Sequence, residues 1–140
     1  HPASLFQKYG IPYYLKIDIE GNDIDVVRAL GDFSHRPRYI SIEENQTYYF
    51  AELWSIGCRS FKLVDQGKLS LVKCPNPALE GKYVEASFDG TTSGPFGDEA
   101  PGEWMTLDRA LEKYLTEIRS PTRGFLAGLS WFDIHGRFEQ

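Results

Sequence analysis

The chain has 140 residues, of which 41% are hydrophobic and 25% charged, enough apolar material for one globular core. With 15 basic against 20 acidic residues the formal charge is −5, so no basic surface offers counterion release and nucleic acid is excluded as a main partner. No stretch approaches the roughly 18 unbroken apolar residues of a membrane span, and Cys58 and Cys74 lie in no CxxC spacing, so the expectation is a soluble, cytoplasmic chain with reduced thiols, no zinc site and no membrane partner.

The chain opens on His1-Pro2 without a methionine or a charged-then-apolar leader, and reads as trimmed, processed or incomplete at that end. Ser4 to Tyr9 reads as a helix end, stopped by Gly10 and the Ile11-Pro12 step. The spacing then predicts a strand over Tyr13 to Ile19. Up to the acid at Asp18 it shows little polar alternation, with Lys16 the exception, and suits a strand covered on both faces. Gly21-Asn22 breaks it, Asn22 or Asp23 can cap the next helix, and Ile24, Val27 and Leu30 recur at helical spacing up to Gly31.

A second strand is predicted over Tyr39 to Glu43 and a second helix over Thr47 to Ile56, with Tyr48, Tyr49 and Trp54 expected to pack on the sheet. Ser60 to Val64 reads as a third strand. Alternating strands and helices imply crossover units and one α/β domain over residues 1–140. Residues 67–105 form a long Gly/Pro-rich stretch, containing at most a short strand at Leu69 to Val72, and read as a lid or a mobile loop. Thr106 caps an amphipathic helix to about Ile118, with Leu107, Leu111, Tyr114, Leu115 and Ile118 on its buried stripe, and Pro121 ends the segment. Trp131 to His135 reads as a last strand, antiparallel and near the sheet edge. Asn45-Gln46-Thr47 matches a glycosylation acceptor, a pattern that matters only in a secreted chain.

The acids carry the functional signal. In open α/β sheets ligands bind beyond the carboxyl ends of the strands. Asp18 and Glu20 finish one strand, while Glu43 and Glu44 finish its expected neighbour. Gathered in one crevice, such carboxylates can serve as a general base, bind magnesium or manganese, or hold the hydroxyl or ammonium groups of a ligand. Against this, Asp23 and Asp25 suit a helix N-terminus, Glu44 can simply be solvated, Lys16 can be a charge partner, and His135 reads as a hydrogen-bonded structural residue.

The segments "LKIDIEGNDIDVVRAL", "RPRYISIEEN", "FKLVDQGKL", "SGPFGDEAPGEWMT" and "WFDIHGRF", in that order, resemble the FkbM-type methyltransferases. The resemblance implies a partial Rossmann-like class I sheet, comprising strands four to seven of such an enzyme, mostly parallel with an antiparallel last strand and helices packed upon it. It implies S-adenosylmethionine as cofactor, a small-molecule or glycan hydroxyl as acceptor, and catalytic roles for Asp18, Glu20 and Glu43. Asp18 would contact the cofactor or the acceptor, and Glu20 would orient or deprotonate the acceptor. Asn22 stands where the family has a small residue.

The family's glycine-rich cofactor loop has no counterpart here: Gly94-Pro95-Phe96-Gly97 follows no strand and opens no helix. The isolated chain is therefore expected to turn over weakly or not at all. Two other readings remain open, a noncatalytic α/β module that forms a homo-oligomer through an exposed sheet edge, and a metal-dependent enzyme using the same carboxylates.

Overall fold

The computed structural model describes residues 1–44, 46–119 and 131–139. The elements run α1 (Pro2–Tyr9), β1 (Tyr14–Ile17), α2 (Asp23–Gly31), β2 (Tyr39–Glu43), α3 (Tyr48–Ser55), β3 (Cys58–Asp65), α4 (Leu107–Lys113) and β4 (Phe132–Phe138), with a π-helical turn over Tyr114–Ile118 continuing α4. Asn45 of the glycosylation pattern and the Pro121 stop lie outside the described residues.

The four strands form one mixed sheet in the order β1-β2-β4-β3. β1 and β2 are parallel, as the α2 crossover demands, and β4 runs antiparallel to both β2 and β3. The last strand is thus antiparallel as expected, but it is central, not near the edge. Apolar Ile134 and Phe138 are almost wholly excluded from solvent there, and Gly136 leaves room for Cys58 and Ile40 to close over it.

Strand register explains how two very different faces arise from one sheet, because laterally paired residues project to the same side. Leu15, Ile40, Gly136 and Phe61 form one row, and Ile17, Ile42, Ile134 and Leu63 the next. These apolar rows pack with Ile24, Val27, Leu30, Phe50, Leu53, Ala110 and Tyr114 of the helices in a single core. The opposite face carries Lys16, Ser41, His135 and Lys62 in one row and Tyr14, Tyr39, Arg137 and Ser60 in another.

Among the described residues the α-helices pack on the apolar face and not on this one. Instead the irregular segment before α4 lies on it: Phe96 stacks on Tyr14 with ring centroids 4.4 Å apart, and Trp104 stacks on Tyr39 at 5.9 Å. Lys62, buried against this segment, donates to the carbonyls of Gly97 and Ala100 at 3.2 and 2.7 Å. β1 is consequently half-buried, with only Ile17 fully enclosed, rather than sandwiched between layers of helices.

Other expectations change with the packing. Leu69 to Val72 is no strand: Gln66–Leu71 is a 3-10 helix, opened by Asp65, whose carboxylate accepts from the Gly67 N–H at 3.0 Å. Leu115 is 53% exposed and falls off the buried stripe, because the helix widens into the π-turn at Tyr114. Tyr49 is buried as expected, whereas Tyr48 and Trp54 are largely exposed, and Trp54 lies instead under the Arg59 guanidinium.

Candidate active site

The turn after β1 is built to present acids. Glu20 sits at φ 54°, a left-handed conformation unusual for a residue with a side chain, and Gly21 follows at φ 97°. Asp23, at the start of α2, holds this shape. Its carboxylate accepts from the backbone N–H of Ile19 and of Gly21, both at 3.0 Å. Asp23 is therefore a structural clamp on the turn, while Asn22, at the cap position, makes no side-chain capping bond.

Because β1 and β2 are parallel neighbours, their carboxyl ends share a rim. Asp18, Glu20 and Glu43 line one cleft of about 240 Å³ there, together with Lys16, Gln66, Thr91, Thr92, Ser93, Trp131 and Asp133. The three acids singled out in the sequence are brought together. Asp18 and Glu20 remain solvent-accessible, whereas Glu43 is partly enclosed. Burial, followed by the charges of Asp18, Asp133 and Glu20, pushes the Glu43 carboxyl above its ordinary value, with Lys16 opposing.

Asp133, brought in by the central β4, was not among the residues singled out. It is 1% exposed and sits directly opposite Glu43 in the ladder. Lys16 Nζ approaches its Oδ2 at 2.5 Å and the Asp18 Oδ2 at 3.8 Å. Burial raises the Asp133 carboxyl, and Lys16 offsets this only in part. The signal available in the sequence was the alternation in "WFDIH", which puts Asp133 and His135 on one side of a strand.

Gln66 and Trp131 were also missed. They are joined by a bond from the Gln66 N–H to the Trp131 carbonyl at 2.9 Å, linking the end of β3 to the approach to β4. Gln66 is 5% exposed and its Nε2 has no hydrogen-bond partner among the described residues.

Two other candidates make other ties, although Glu44 also shares an adjoining cavity with Glu20, Asp23 and Glu43. The Glu44 carboxylate accepts from Tyr114 and receives both a 2.9 Å and a 2.8 Å bond from Arg119, tying the end of β2 to the α4 region. His135 is buried with Nε2 unpartnered among the described residues, and burial drives its pKa down to about 3, so it is held neutral within the sheet. Among the described residues no group of three or more His, Cys, Asp or Glu is placed to hold a metal ion, so the carboxylates form no ready-made metal centre. No described helix is long and apolar enough to cross a membrane.

Residues 3–110, more than half of the chain, match the family described as the Methyltransferase FkbM domain, and the chain belongs to that family. No match was found among curated proteins or among solved structures. The family match takes in Asp18, Glu20, Glu43 and Gln66, while Trp131 and Asp133 lie beyond its end.

Proposed function

We propose that this chain carries the acceptor side of an S-adenosylmethionine-dependent O-methyltransferase. The observation that supports this reading is the convergence of Asp18, Glu20 and Glu43, from two adjacent parallel strands, in one cleft of a chain that belongs to a methyltransferase family.

The donor set suits the reacting end of such a cofactor. Among the described residues, four carboxylates face a single ammonium in the cleft, an environment that favours a cationic sulfonium and disfavours anions. Asp18, exposed at the rim, is the carboxylate for that cation. When bound, the cofactor supplies a methyl group on positively charged sulfur.

Glu43 is the general base for the acceptor hydroxyl. Its raised pKa moves its base strength toward the working pH, which is what proton removal during transfer requires. Glu20, held at its unusual backbone angle, orients the acceptor oxygen.

The test is release of S-adenosylhomocysteine by the product of the complete coding sequence, supplied with a panel of hydroxyl acceptors. Glu43→Gln is expected to lower kcat by roughly 10²–10⁴ without lowering thermal stability. Asp18→Asn is expected to weaken S-adenosylmethionine binding in calorimetric titration more than binding of S-adenosylhomocysteine, whose sulfur is uncharged. Full turnover in Glu43→Gln, or no cofactor binding by the complete product, overturns the reading.

A second reading, a module that associates through its sheet, draws support from β1, which has a strand partner on one side only among the described residues. Sedimentation showing a concentration-independent monomer removes it.

A further inference from the structure

We propose that Lys16 is a positioning residue: by crossing β2 to hold Asp133 on β4, it keeps the negative charge of the facing Glu43–Asp133 pair on Asp133 and leaves Glu43 as the member that takes up the proton. The inference deepens the methyltransferase reading and rests on it only for calling Glu43 the base. Where the proton sits is a property of the cleft itself.

The first observation is the path of the lysine. β4 is not the neighbour of β1 but the next strand beyond β2, so the side chain bridges two strand spacings of about 4.8 Å each. Register puts Ser41 between the two, paired with Lys16 on one side and with His135 on the other. Ser41 is small and wholly buried, and its hydroxyl shares a 2.6 Å hydrogen bond with Tyr14. The lysine stem passes over it, and the ammonium reaches Asp133 Oδ2 at 2.5 Å, with Asp18 Oδ2 at 3.8 Å. A hydrogen bond between two charged groups is roughly twice as strong as a neutral one, and protonating Asp133 would forfeit it.

The second observation is an asymmetry between two carboxylates that face each other in the ladder. Burial is the largest influence raising each. Beyond burial they part. On Asp133, Lys16 acts downward through both its charge and its hydrogen bond, and Asp18 adds an opposing like charge. On Glu43, the charges of Asp18, Asp133 and Glu20 all push upward, and the downward pull of Lys16 ranks behind them.

The neighbouring ionisable groups are committed elsewhere. Asp23 accepts from the backbone of Ile19 and Gly21, and Glu44 from Arg119. Burial, followed by the charges of Lys16 and Lys62, holds His135 neutral. Lys62, the other ammonium in that row, donates to the carbonyls of Gly97 and Ala100. Two carboxylates in contact titrate as a pair, and the one paired with a cation is the one that stays ionised. Asp133 is thereby removed as a rival base although it is the most deeply buried acid of the cleft.

The experiment follows the side-chain carboxyl ¹³C shifts of Glu43 and Asp133 in the isotopically labelled 140-residue chain from about pH 3 to pH 8, with amide spectra reporting that the fold persists. Glu43 is expected to carry most of the upper titration step and Asp133 most of the lower one. Lys16→Met is expected to reverse that order, and Lys16→Arg, which keeps the cation, to preserve it. Asp133→Asn, which removes the charge facing Glu43, is expected to shift the Glu43 midpoint to lower pH, and it decides the matter if Lys16→Met does not fold. Asp133 carrying the upper step in the native chain, an order unchanged by Lys16→Met, or a Glu43 midpoint unmoved by Asp133→Asn overturns the proposal. The expected order in a protein whose complete coding product transfers no methyl group upholds the inference while counting against the methyltransferase reading. Methyl transfer with Asp133 carrying the upper step overturns the inference alone.

Discussion

Glu43 lies directly opposite Asp133 in the ladder between β2 and β4, so two carboxylates face each other on one surface of the sheet. Like charges in this position destabilise a strand pair, and both groups are raised above their ordinary pKa, with burial the first cause in each case. The sheet tolerates the pair because Lys16 reaches in from β1 on the neighbouring row.

A pH dependence of stability follows from Glu43. The folded protein holds the Glu43 proton to higher pH than the unfolded chain does, so its contribution is most favourable below the ordinary carboxylate pKa and is lost as pH rises through the elevated folded value. Glu43→Gln should therefore raise the melting temperature relative to the native protein, and the advantage should grow from about pH 4 to pH 8. A difference that stays flat across that range would show that Glu43 is not electrostatically strained.

Lys16 is the counterpart to this repulsion. Lys16→Met leaves Asp133, 1% exposed, without its cation, and should cost on the order of 3 kcal/mol in urea unfolding at neutral pH. Adding Asp133→Asn should recover much of the loss, with a coupling of about 1–3 kcal/mol in the double-mutant cycle. Additive single effects would mean that the 2.5 Å contact contributes nothing to stability.

Gly136 tests whether β4 belongs in the centre. A methyl group there would come within 2.6 Å of the Cys58 sulfur and 3.0 Å of the Ile40 side chain. Gly136→Ala should destabilise by about 1–3 kcal/mol through overpacking, measured by thermal or denaturant unfolding. At an edge position the same change would be nearly silent.

The two thiols should separate by reactivity. Cys58 is wholly buried and burial pushes its pKa up to about 12, whereas Cys74 is partly accessible. Iodoacetamide at neutral pH should label one thiol in the native protein, at Cys74, and both in urea, read by intact mass. Rapid native labelling of Cys58 would mean that β3 and β4 part readily.

Much of the scaffold can be read from residue order because local physics decides it. Tyr39–Glu43 is a mostly apolar run, interrupted by Ser41 and ending in acid, and it is found with those bounds. The helix at Tyr48–Ser55 lies between a flanking Thr47 and the Gly57 turn, as its spacing indicates. What alternation could not convey is neighbourhood. The pattern around "WFDIH" marks a strand, but nothing local states that it is inserted between β2 and β3, and so Asp133 could not be placed beside Glu43.

The same limit applies to single side chains. Glu44 and Glu43 are adjacent in the chain, yet one accepts from Arg119 and Tyr114 while the other lines the cleft, a division set by which partners the fold brings near. Gln66 gave no signal because an amide just beyond a strand is unremarkable until its surroundings leave its nitrogen without a partner.

The central place of β4 also sets an order of events during synthesis. Until residue 138 has been added, β2 and β3 have no strand between them, and Lys16 has no Asp133 to neutralise. A nascent chain that already carries Asp18, Glu20 and Glu43 thus holds an unfinished rim, which the arrival of β4 zips together while setting Asp133 opposite Glu43 and within reach of Lys16. Premature termination anywhere before β4 leaves the acids of the cleft without the strand that joins β2 to β3.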